Sequence, residues 1–460
     1  MMLWNYICEC MKKHPTQTMC EERKQISFKE IIALVENFKN EIADEKCCAI
    51  FCSSEMMSAI ALLSCFASGV TAVPLSVRYG KNHCNKIIDM ISPTAIITDV
   101  GGELHVIRFS QSEYKLPEIH PALIMCTSGT TGEPKGAMLT EGNILTNVND
   151  ICDYFEIDSS DSILISRPIY HCAVLTGEFL VSLVKGLNIH FYSGVFNPKA
   201  LFEEIRENKI TVFCGTPTML GIIARFKPKR RACSLRTICV SGECMSKETG
   251  RQISNAFSDA EIYHVYGLTE ASPRVSYMPP RLFANNEDIV GVPLKSVSLK
   301  IVKSDGSLAR ADEEGVLWVS GDSIMQGYYN SPEQTKKVLK DGWLCTGDIA
   351  VVGRNGFFKI KGRSDDLIIR AGMNVYPQEI ESTLKTDSRV REVLAYKIDN
   401  SKTGIQQIGL KIAGDFSDTD EVRKLCSEVL PSFQMPSVIE LLDELTKNGS
   451  GKIIRRRENA

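Results

Sequence analysis

The feature that most constrains this chain is a ten-residue segment, TSGTTGEPKG, at residues 127–136. It follows an apolar run at residues 122–126, which has the length and composition of a buried strand. Glycines let backbone N–H groups approach phosphate oxygens closely, and the hydroxyls and lysine add donors and positive charge. A Walker loop has Gly before its Lys and Ser or Thr after it, whereas Pro134 and Gly136 flank Lys135 here. The segment therefore predicts a polyphosphate-binding loop of another type, with a flexible surface loop as the alternative.

Composition limits the class of protein. The 460 residues suffice for two or more domains, and a formal charge of −3 argues against nucleic acid as the main partner. The 17 cysteines show no zinc-site spacing, and the longest apolar run, residues 58–66, is too short to span a bilayer. With no export signal recognised, we expect reduced thiols, a cytoplasmic location and no membrane span. Composition leaves the oligomeric state open.

Strand-like and helix-like segments alternate on both sides of the loop, which predicts an α/β fold with parallel sheets flanked by helices. The predicted strands are residues 47–51, 70–75, 95–98, 163–166, 188–192, 211–214, 237–240 and 261–265. The predicted helices are residues 28–42 (capped by Ser27), 55–67, 82–91, 141–155, 174–185, 198–206, 219–226 and 247–256.

The pattern changes twice near the carboxyl end. From Gly291 onward, short strands with turns at Asp305-Gly306 and Glu314-Gly315 predict a small β-rich part. Beyond residues 362–366 we predict a small α+β domain with helices at 377–384 and 420–430, strands at 393–398 and 407–412, and a basic tail.

Three further segments carry chemistry. YGLTE at residues 266–270 follows a predicted strand, at the end where parallel sheets hold ligands, and Thr269 and Glu270 offer oxygen ligands for Mg²⁺. The alternative is an ordinary helix start. Asp348 can accept two ribose hydroxyls and Arg363 can donate to ribose or phosphate, with a plain salt bridge as the alternative.

These motifs together resemble a known family. IMCTSGTTGEPKG at 124–136, YGLTE at 266–270, TGD at 346–348, GR at 362–363 and GK at 451–452 are similar, in sequence order, to motifs of the adenylate-forming superfamily. That superfamily includes acyl-CoA synthetases, peptide-synthetase adenylation domains and luciferases. The resemblance extends from residue 47 to residue 452. It implies an amino-terminal domain with the AMP site and acid pocket, residues 1–363, and a small mobile domain with the adenylation lysine, residues 364–460.

The resemblance also implies roles for individual residues. The residues expected at the ATP phosphates are Thr127, Ser128, Gly129, Thr130, Thr131 and Lys135, with Thr269 and Glu270 at the phosphates and magnesium. The residues expected around adenine and ribose are Ser241, Gly242, Glu243, Tyr266, Gly267, Asp348 and Arg363. Ser241 stands where a smaller residue is common in the family.

Four more positions match the family's moving parts. Lys452 matches the adenylation lysine. Without the resemblance, the basic residues here would predict a solvated chain end, with weak support for RNA binding. Asp365 matches the hinge, with a simple cap as the alternative. Gly372 matches the loop beside the pantetheine channel. His171 matches an aromatic gate between acid pocket and thiol channel, with a structural histidine as the alternative.

The resemblance implies a two-step reaction. A carboxylic acid attacks Mg·ATP to form acyl-AMP and pyrophosphate, and a thiol then forms a thioester and releases AMP. The resemblance to stand-alone members of this size predicts CoA as the thiol, hence an acid–CoA ligase, with a ligase that loads the phosphopantetheine of a separate carrier protein as the alternative. A third alternative, a non-catalytic nucleotide-binding relative, is disfavoured by Lys135, Glu270, Asp348 and Lys452 occurring together.

The acid is predicted from the pocket. Residues 170–173 offer no Asp to hold an α-ammonium group, which disfavours an α-amino acid. The residues expected to line a largely apolar pocket, and so to favour an aryl or aliphatic acid, are Phe213, Cys214, Ser241, Val265 and Val174.

Overall fold

The computed structural model describes residues 1–76, 81–128, 134–194, 196–226, 234–370, 373–399, 406–446 and 453. Its helices are α1 (Met2–Lys12), α2 (Phe28–Glu41), α3 (Glu55–Ser68), α4 (Lys81–Ile91), α5 (Glu141–Tyr154), α6 (Cys172–Val174), α7 (Val181–Lys185), α8 (Pro198–Glu207), α9 (Pro217–Phe226), α10 (Lys247–Ala256), α11 (Pro332–Val338), α12 (Pro377–Leu384) and α13 (Thr419–Val429). A π-helical turn, Leu175–Leu180, joins α6 to α7 inside the helix predicted at 174–185.

The strands of the first part of the chain are β1 (Thr18–Glu21), β2 (Lys24–Ser27), β3 (Cys47–Ile50), β4 (Thr71–Pro74), β5 (Ala95–Val100), β6 (Glu103–Arg108), β7 (Leu123–Ser128), β8 (Pro134–Leu139), β9 (Ser162–Ile165), β10 (Asn188–Phe191), β11 (Val212–Gly215), β12 (Thr237–Val240), β13 (Glu261–Gly267), β14 (Arg274–Met278) and β15 (Val292–Pro293). Those that follow are β16 (Ser298–Val302), β17 (Glu314–Ser320), β18 (Gly327–Tyr328), β19 (Leu339–Lys340), β20 (Trp343–Val352), β21 (Phe358–Arg363), β22 (Ile368–Arg370), β23 (Met373–Val375), β24 (Val390–Asp399), β25 (Gln406–Gly414) and β26 (Val438–Leu441).

Two large sheets form the frame, as the α/β prediction requires. Sheet 1 has the order β15-β14-β13-β12-β11-β9-β10-β1-β2, and its strands from β13 to β1 are parallel. Sheet 2 has the order β18-β8-β7-β4-β3-β5-β6, with β7, β4, β3 and β5 parallel. The non-consecutive order means that helices cross over between strands, which confirms the predicted fold class.

One apolar core joins the two sheets. It contains Ile50 and Met125 from sheet 2 together with Ile163 and Cys214 from sheet 1. Helix α3 carries apolar side chains on all its faces and is buried almost throughout, as expected for a helix enclosed between layers. Helix α2 begins at the predicted cap, where Ser27 and Glu30 form a reciprocal capping box.

The β-rich part forms a third sheet, β16-β17-β20-β19, with β21 paired to β20. The prediction of a turn at Glu314-Gly315 was wrong, because both residues begin β17. A Cβ on Gly315 would lie 2.6 Å from the Val302 carbonyl oxygen, so the glycine serves the close approach of β16 rather than a turn.

The carboxyl-terminal residues have a core of their own. Its buried members run from Ile368 to Leu430 and come from β22 to β25, α12 and α13. This part touches the third sheet through Tyr376, whose hydroxyl donates to Glu314 Oε2 at 2.6 Å, and through a 2.7 Å ion pair between Lys361 and Glu379. No helix among the described residues has the length and apolar content needed to cross a membrane.

Candidate active site

The candidate residues collect where the parallel strands of sheet 1 end. Residues 167–172 follow β9, Ser241 follows β12, and Tyr266 and Gly267 close β13. A Cβ on Gly267 would lie 2.1 Å from the Pro273 carbonyl oxygen, so only glycine fits at this bulge between β13 and β14. Parallel pairing therefore brings segments distant in sequence to one edge, the usual ligand-binding edge of such a sheet.

Three predicted residues form one hydrogen-bonded group. The Tyr266 hydroxyl donates to Asp348 Oδ2, and Arg363 Nη1 lies 3.2 Å from Asp348 Oδ1. Arg363 also donates to the Thr346 carbonyl oxygen at 2.9 Å, and β20–β21 pairing sets Asp348 opposite Arg363. Burial first, and then the charge of Asp348, raises the pKa of Tyr266 well above its ordinary value, so its hydroxyl stays a donor. The salt bridge considered from sequence is thus present within a larger cluster.

A second group links the phosphate-loop hairpin to the YGLTE segment. The Tyr328 hydroxyl donates to Glu270 Oε1 at 2.8 Å, and Lys135 Nζ lies 5.4 Å from the centre of the Tyr328 ring. Burial and the Glu270 carboxylate raise the pKa of Tyr328, which keeps this hydroxyl protonated too. Sequence analysis missed Tyr328. The only hint in the sequence was the glycine before it. Gly327 has φ +139°, and Thr335 occupies the place that a Cβ at this position would take.

The loop after β9 lies beside the same segment. Cys172 Sγ is 4.0 Å from the Thr269 carbonyl oxygen. Burial raises the pKa of the Cys172 thiol, a hydrogen bond with Thr176 opposes that rise, and the charge of Glu270 adds to it. His171 is the N-cap residue of α6, and its ring centre is 4.3 Å from that of Tyr170. His171 thus directly precedes the cysteine that contacts the Thr269 segment.

The residues predicted at the edge of the adenine site make their contacts in two different places. Ser241 Oγ accepts a 3.3 Å hydrogen bond from Arg167 Nη2, and Gly242 has φ +93°, which favours glycine. The Glu243 carboxylate instead accepts from the Thr218 hydroxyl at 2.7 Å, at the start of α9. The Glu243 side chain is therefore hydrogen-bonded to the first turn of α9.

The residues expected to line the acid pocket do not all share one side of sheet 1. Phe213 belongs to a different core from Cys214, Val265 and Val174, because successive strand residues face opposite sides of a sheet. The face that carries Cys214 also carries charge. Arg167 pairs there with Glu178 of the π-helical turn, and Arg274 donates to the Tyr154 hydroxyl.

Several residues predicted at the site are not part of the contacts described above. Gly129, Thr130, Thr131, Gly372 and Lys452 fall outside the described residues, and of Ser128 only the backbone is described. Thr127 is the partner of Lys135 in the β7–β8 hairpin. Asp365 is exposed in the turn between β21 and β22, one residue after Ser364, whose N–H donates to the Gly347 carbonyl oxygen at 2.8 Å.

Comparisons with known proteins identify the family. The family model described as AMP-binding enzyme matches residues 9–329, so this chain belongs to the AMP-binding enzymes, as the resemblance to adenylate-forming proteins predicted. It is 34% identical over 354 residues to the long-chain-fatty-acid–CoA ligase of Haemophilus influenzae, covering 75% of this chain and 63% of that enzyme. The chain thus spans less than two thirds of that relative's length.

Two further proteins are similar over more of their length. Feruloyl-CoA synthase of an Amycolatopsis species is 30% identical over 418 residues, covering 86% of this chain and 84% of the relative. The structure of o-succinylbenzoate CoA synthetase from Bacillus subtilis, in complex with its acyl-adenylate intermediate, superposes with a TM-score of 0.85 at 24% identity and covers 99% of both chains. This structural similarity shows that the chain and the Bacillus subtilis enzyme share a fold.

The Tyr266–Asp348 contact generates a prediction about AMP binding. Tyr266→Phe keeps the ring and removes the hydrogen bond that orients Asp348, so we expect the AMP dissociation constant to rise about tenfold. Isothermal titration of AMP into the purified protein measures it. Tyr263→Phe, on the same strand, is the control, because among the described residues the Tyr263 hydroxyl accepts only a 3.4 Å hydrogen bond from the Glu156 N–H. Equal affinities in all three proteins would contradict the role of Asp348.

Proposed function

We propose that this chain is an acid–thiol ligase, which activates a carboxylic acid with ATP as acyl-AMP and passes the acyl group to a thiol. The observation that carries the proposal is that Lys135 and Glu270 contact Tyr328, while Asp348 contacts both Tyr266 and Arg363, so that segments of three sheets bring these four charged side chains together. Membership of the AMP-binding enzymes and relatives named as CoA ligases support it. We propose CoA as the acceptor on the same ground, and the cytoplasm as the location, since all described cysteines are free thiols.

The two clusters suit the two ends of a nucleotide. In this proposal Asp348 and Arg363 bind ribose and the α-phosphate, Lys135 binds the outer phosphates, and the backbone around Ser241 and Gly242 borders adenine. Glu270 would hold Mg²⁺, whose charge would neutralise the phosphates. Glu270 fits this role because its carboxylate is partly exposed and offers hard oxygen ligands, and substrate phosphates would complete the coordination.

The chemistry proceeds by two displacements. A carboxylate oxygen attacks the α-phosphorus and pyrophosphate leaves, after which a thiolate sulfur attacks the acyl carbon and AMP leaves. We propose that Lys452 stabilises the negative charge of the first transition state and that His171 separates the acid pocket from the thiol channel. The protein mainly positions the reactants and supplies fixed charges.

We further propose that residues 1–363 and 364–460 form two domains that rearrange about Asp365 between the two steps. The separate core beginning at Ile368 and the exposure of Asp365 between β21 and β22 support this division. Gly372 would then border the thiol channel in the second arrangement.

The function is tested by pyrophosphate release over a panel of carboxylic acids, followed by mass spectrometry of the products. We expect at least one acid to release pyrophosphate with ATP and magnesium and to yield an acyl-CoA when CoA is added. A thioester formed only on a phosphopantetheinylated carrier protein would make the chain a carrier-loading ligase. Accumulation of acyl-AMP with either thiol present would remove the second step from the proposal.

The Tyr328–Glu270 contact predicts an altered magnesium requirement. Tyr328→Phe keeps the ring beside Lys135 but removes the donor that orients Glu270, so we expect the Mg²⁺ concentration for half-maximal pyrophosphate release to rise about tenfold. Tyr329→Phe is a matched control, since that hydroxyl instead meets the Lys115 backbone N–H at 3.0 Å. An unchanged magnesium curve for Tyr328→Phe, with the same curve for Tyr329→Phe, would remove Tyr328 from the site.

The two half-reactions should separate in variants of the small domain. Lys452→Ala loses one transition-state donor, which typically costs about 3 kcal/mol, so acyl-AMP formation should slow about a hundredfold. Conversion of supplied acyl-AMP and thiol should stay near normal. Asp365→Pro should do the reverse, because proline fixes φ and hinders the rearrangement. Arg455→Ala, three residues beyond Lys452, is the control. Equal losses in both half-reactions for both variants would exclude the two-arrangement mechanism.

A further inference from the structure

A buried group of three charged side chains lies behind Ser241. Arg167 Nη2 forms an ion pair with Glu178 Oε1, and the two side chains are 13% and 1% exposed. Arg167 Nε and Glu178 Oε2 are both buried without a hydrogen-bond partner among the described residues. The third member, Arg274, is 4% exposed, and its Nη2 lies 2.9 Å from where a Cβ on Gly177 would stand. Arg274 is therefore packed against the residue that precedes Glu178.

The charges in this group do not balance. Two guanidinium groups face one carboxylate, and no carboxylate in the described part of the chain lies within ion-pair distance of Arg274. In the described part of the chain, the Arg274 side chain meets the Tyr154 hydroxyl and Cys239 Sγ, the latter at 3.8 Å, and neither partner is a carboxylate. With Cys239 in its thiol form the group carries a net charge of about +1, and because a buried charge without a counter-ion is costly, this charge calls for an anion.

The charges of the two arginines act on the neighbouring titratable groups. A hydrogen bond from Cys214 lowers the pKa of Cys239, burial opposes it, and the charge of Arg274 lowers it further. Burial raises the pKa of Glu178, while the charges of Arg167 and Arg274 oppose that rise. Glu178 thus lies within the field of both arginines. It belongs to a π-helical turn, a rare distortion that is frequent at functional sites.

The group is near the proposed reaction centre. Arg167 contacts Ser241 at one end of the loop after β9, and Cys172 contacts Thr269 at the other end. Five residues of chain span at most about 17 Å, so the guanidinium group lies within reach of an acid whose reacting carboxylate is at the nucleotide. Cys214, Cys239 and Val265 belong to one core cluster on the same side of sheet 1.

From this geometry we infer that the acid pocket takes a substrate with a second anionic group, a carboxylate, at the end remote from the reacting carboxylate. This inference rests on the proposed function and names its substrate class. The second carboxylate neutralises the excess charge by accepting from Arg167 Nε and Arg274, while Glu178 holds Arg167 in place. A neutral aryl or alkyl end would leave the charge uncompensated.

The substrate arm of the test compares matched acids. Pyrophosphate release is measured for linear dicarboxylates and for monocarboxylates with the same number of carbons, and for an aryl pair with and without a second carboxylate. We expect the best dicarboxylate to exceed its monocarboxylate partner at least tenfold in kcat/KM. Equal use of the two, or preference for the monocarboxylate in every pair, overturns the inference and leaves the ligase function standing. No pyrophosphate with any acid overturns both.

A second set of experiments uses variants that remove, one at a time, the two charged partners of the Arg167–Glu178 ion pair. Arg167→Gln removes positive charge and should raise KM for the dicarboxylate about tenfold or more. Glu178→Gln removes negative charge and should lower that KM or leave it unchanged. The monocarboxylate KM should move little in both. A purely structural pair predicts parallel losses in both variants and for both acids, and that result overturns the inference.

Folding controls accompany these variants. Arg236→Gln breaks the ion pair with the buried Asp161 at the opposite ends of the same strands. It should lower the melting temperature without changing the ratio of dicarboxylate to monocarboxylate use. The double variant Arg167→Gln/Glu178→Gln leaves neither partner charged, so it should fold even if a single variant does not, and it should lose most of the dicarboxylate preference. Retention of the full preference in the double variant overturns the inference.

Discussion

Parallel pairing in sheet 1 is the constraint on which the candidate site depends. Backbone hydrogen bonds align β9, β11, β12 and β13 in one direction, so the loops that follow them emerge at one edge. The strands are held in place by the core that they share with sheet 2 through α3. A side chain at this edge is therefore positioned by packing far from the site, because the interior is too dense for a strand to shift alone.

Tyrosine hydroxyls couple the parts that this edge brings together. Tyr266 connects sheet 1 to Asp348 of the third sheet, and Tyr328 connects Glu270 to the strand beside the phosphate-loop hairpin. Each phenol is buried next to a carboxylate, which keeps it protonated and therefore able to donate. Rigid aromatic donors of this kind hold carboxylates in place before a ligand arrives, which reduces the ordering needed when it binds.

The buried charges of Arg167, Glu178 and Arg274 bear on which class of carboxylic acid the pocket accepts. Buried ion pairs add little stability compared with apolar packing of the same volume, so their presence in a core is not explained by stability alone. Here the pair borders Ser241, and a second arginine without a carboxylate lies beside it. Selectivity for a charged end of the acid accounts for both facts.

The sequence by itself determined the family, the α/β class and most element positions. Long apolar strands and helices of regular period are local patterns, and the phosphate-loop, YGLTE and TGD motifs are contiguous in the chain. The short strands β1 and β2 at one end of sheet 1 were not predicted, because pairing with a neighbour, not their composition, makes them strands.

Only the tertiary structure decided what lies behind the motifs. It assigned Phe213 to the far side of sheet 1, directed Glu243 to a helix end, and set Tyr328 against Glu270. It also brought Arg167, Glu178 and Arg274 together from three elements. Such contacts depend on which face of each strand is turned inward and on the crossover order of the sheets. Neither is encoded in any short stretch of residues, so the charge balance of the pocket follows from the packing of the whole chain.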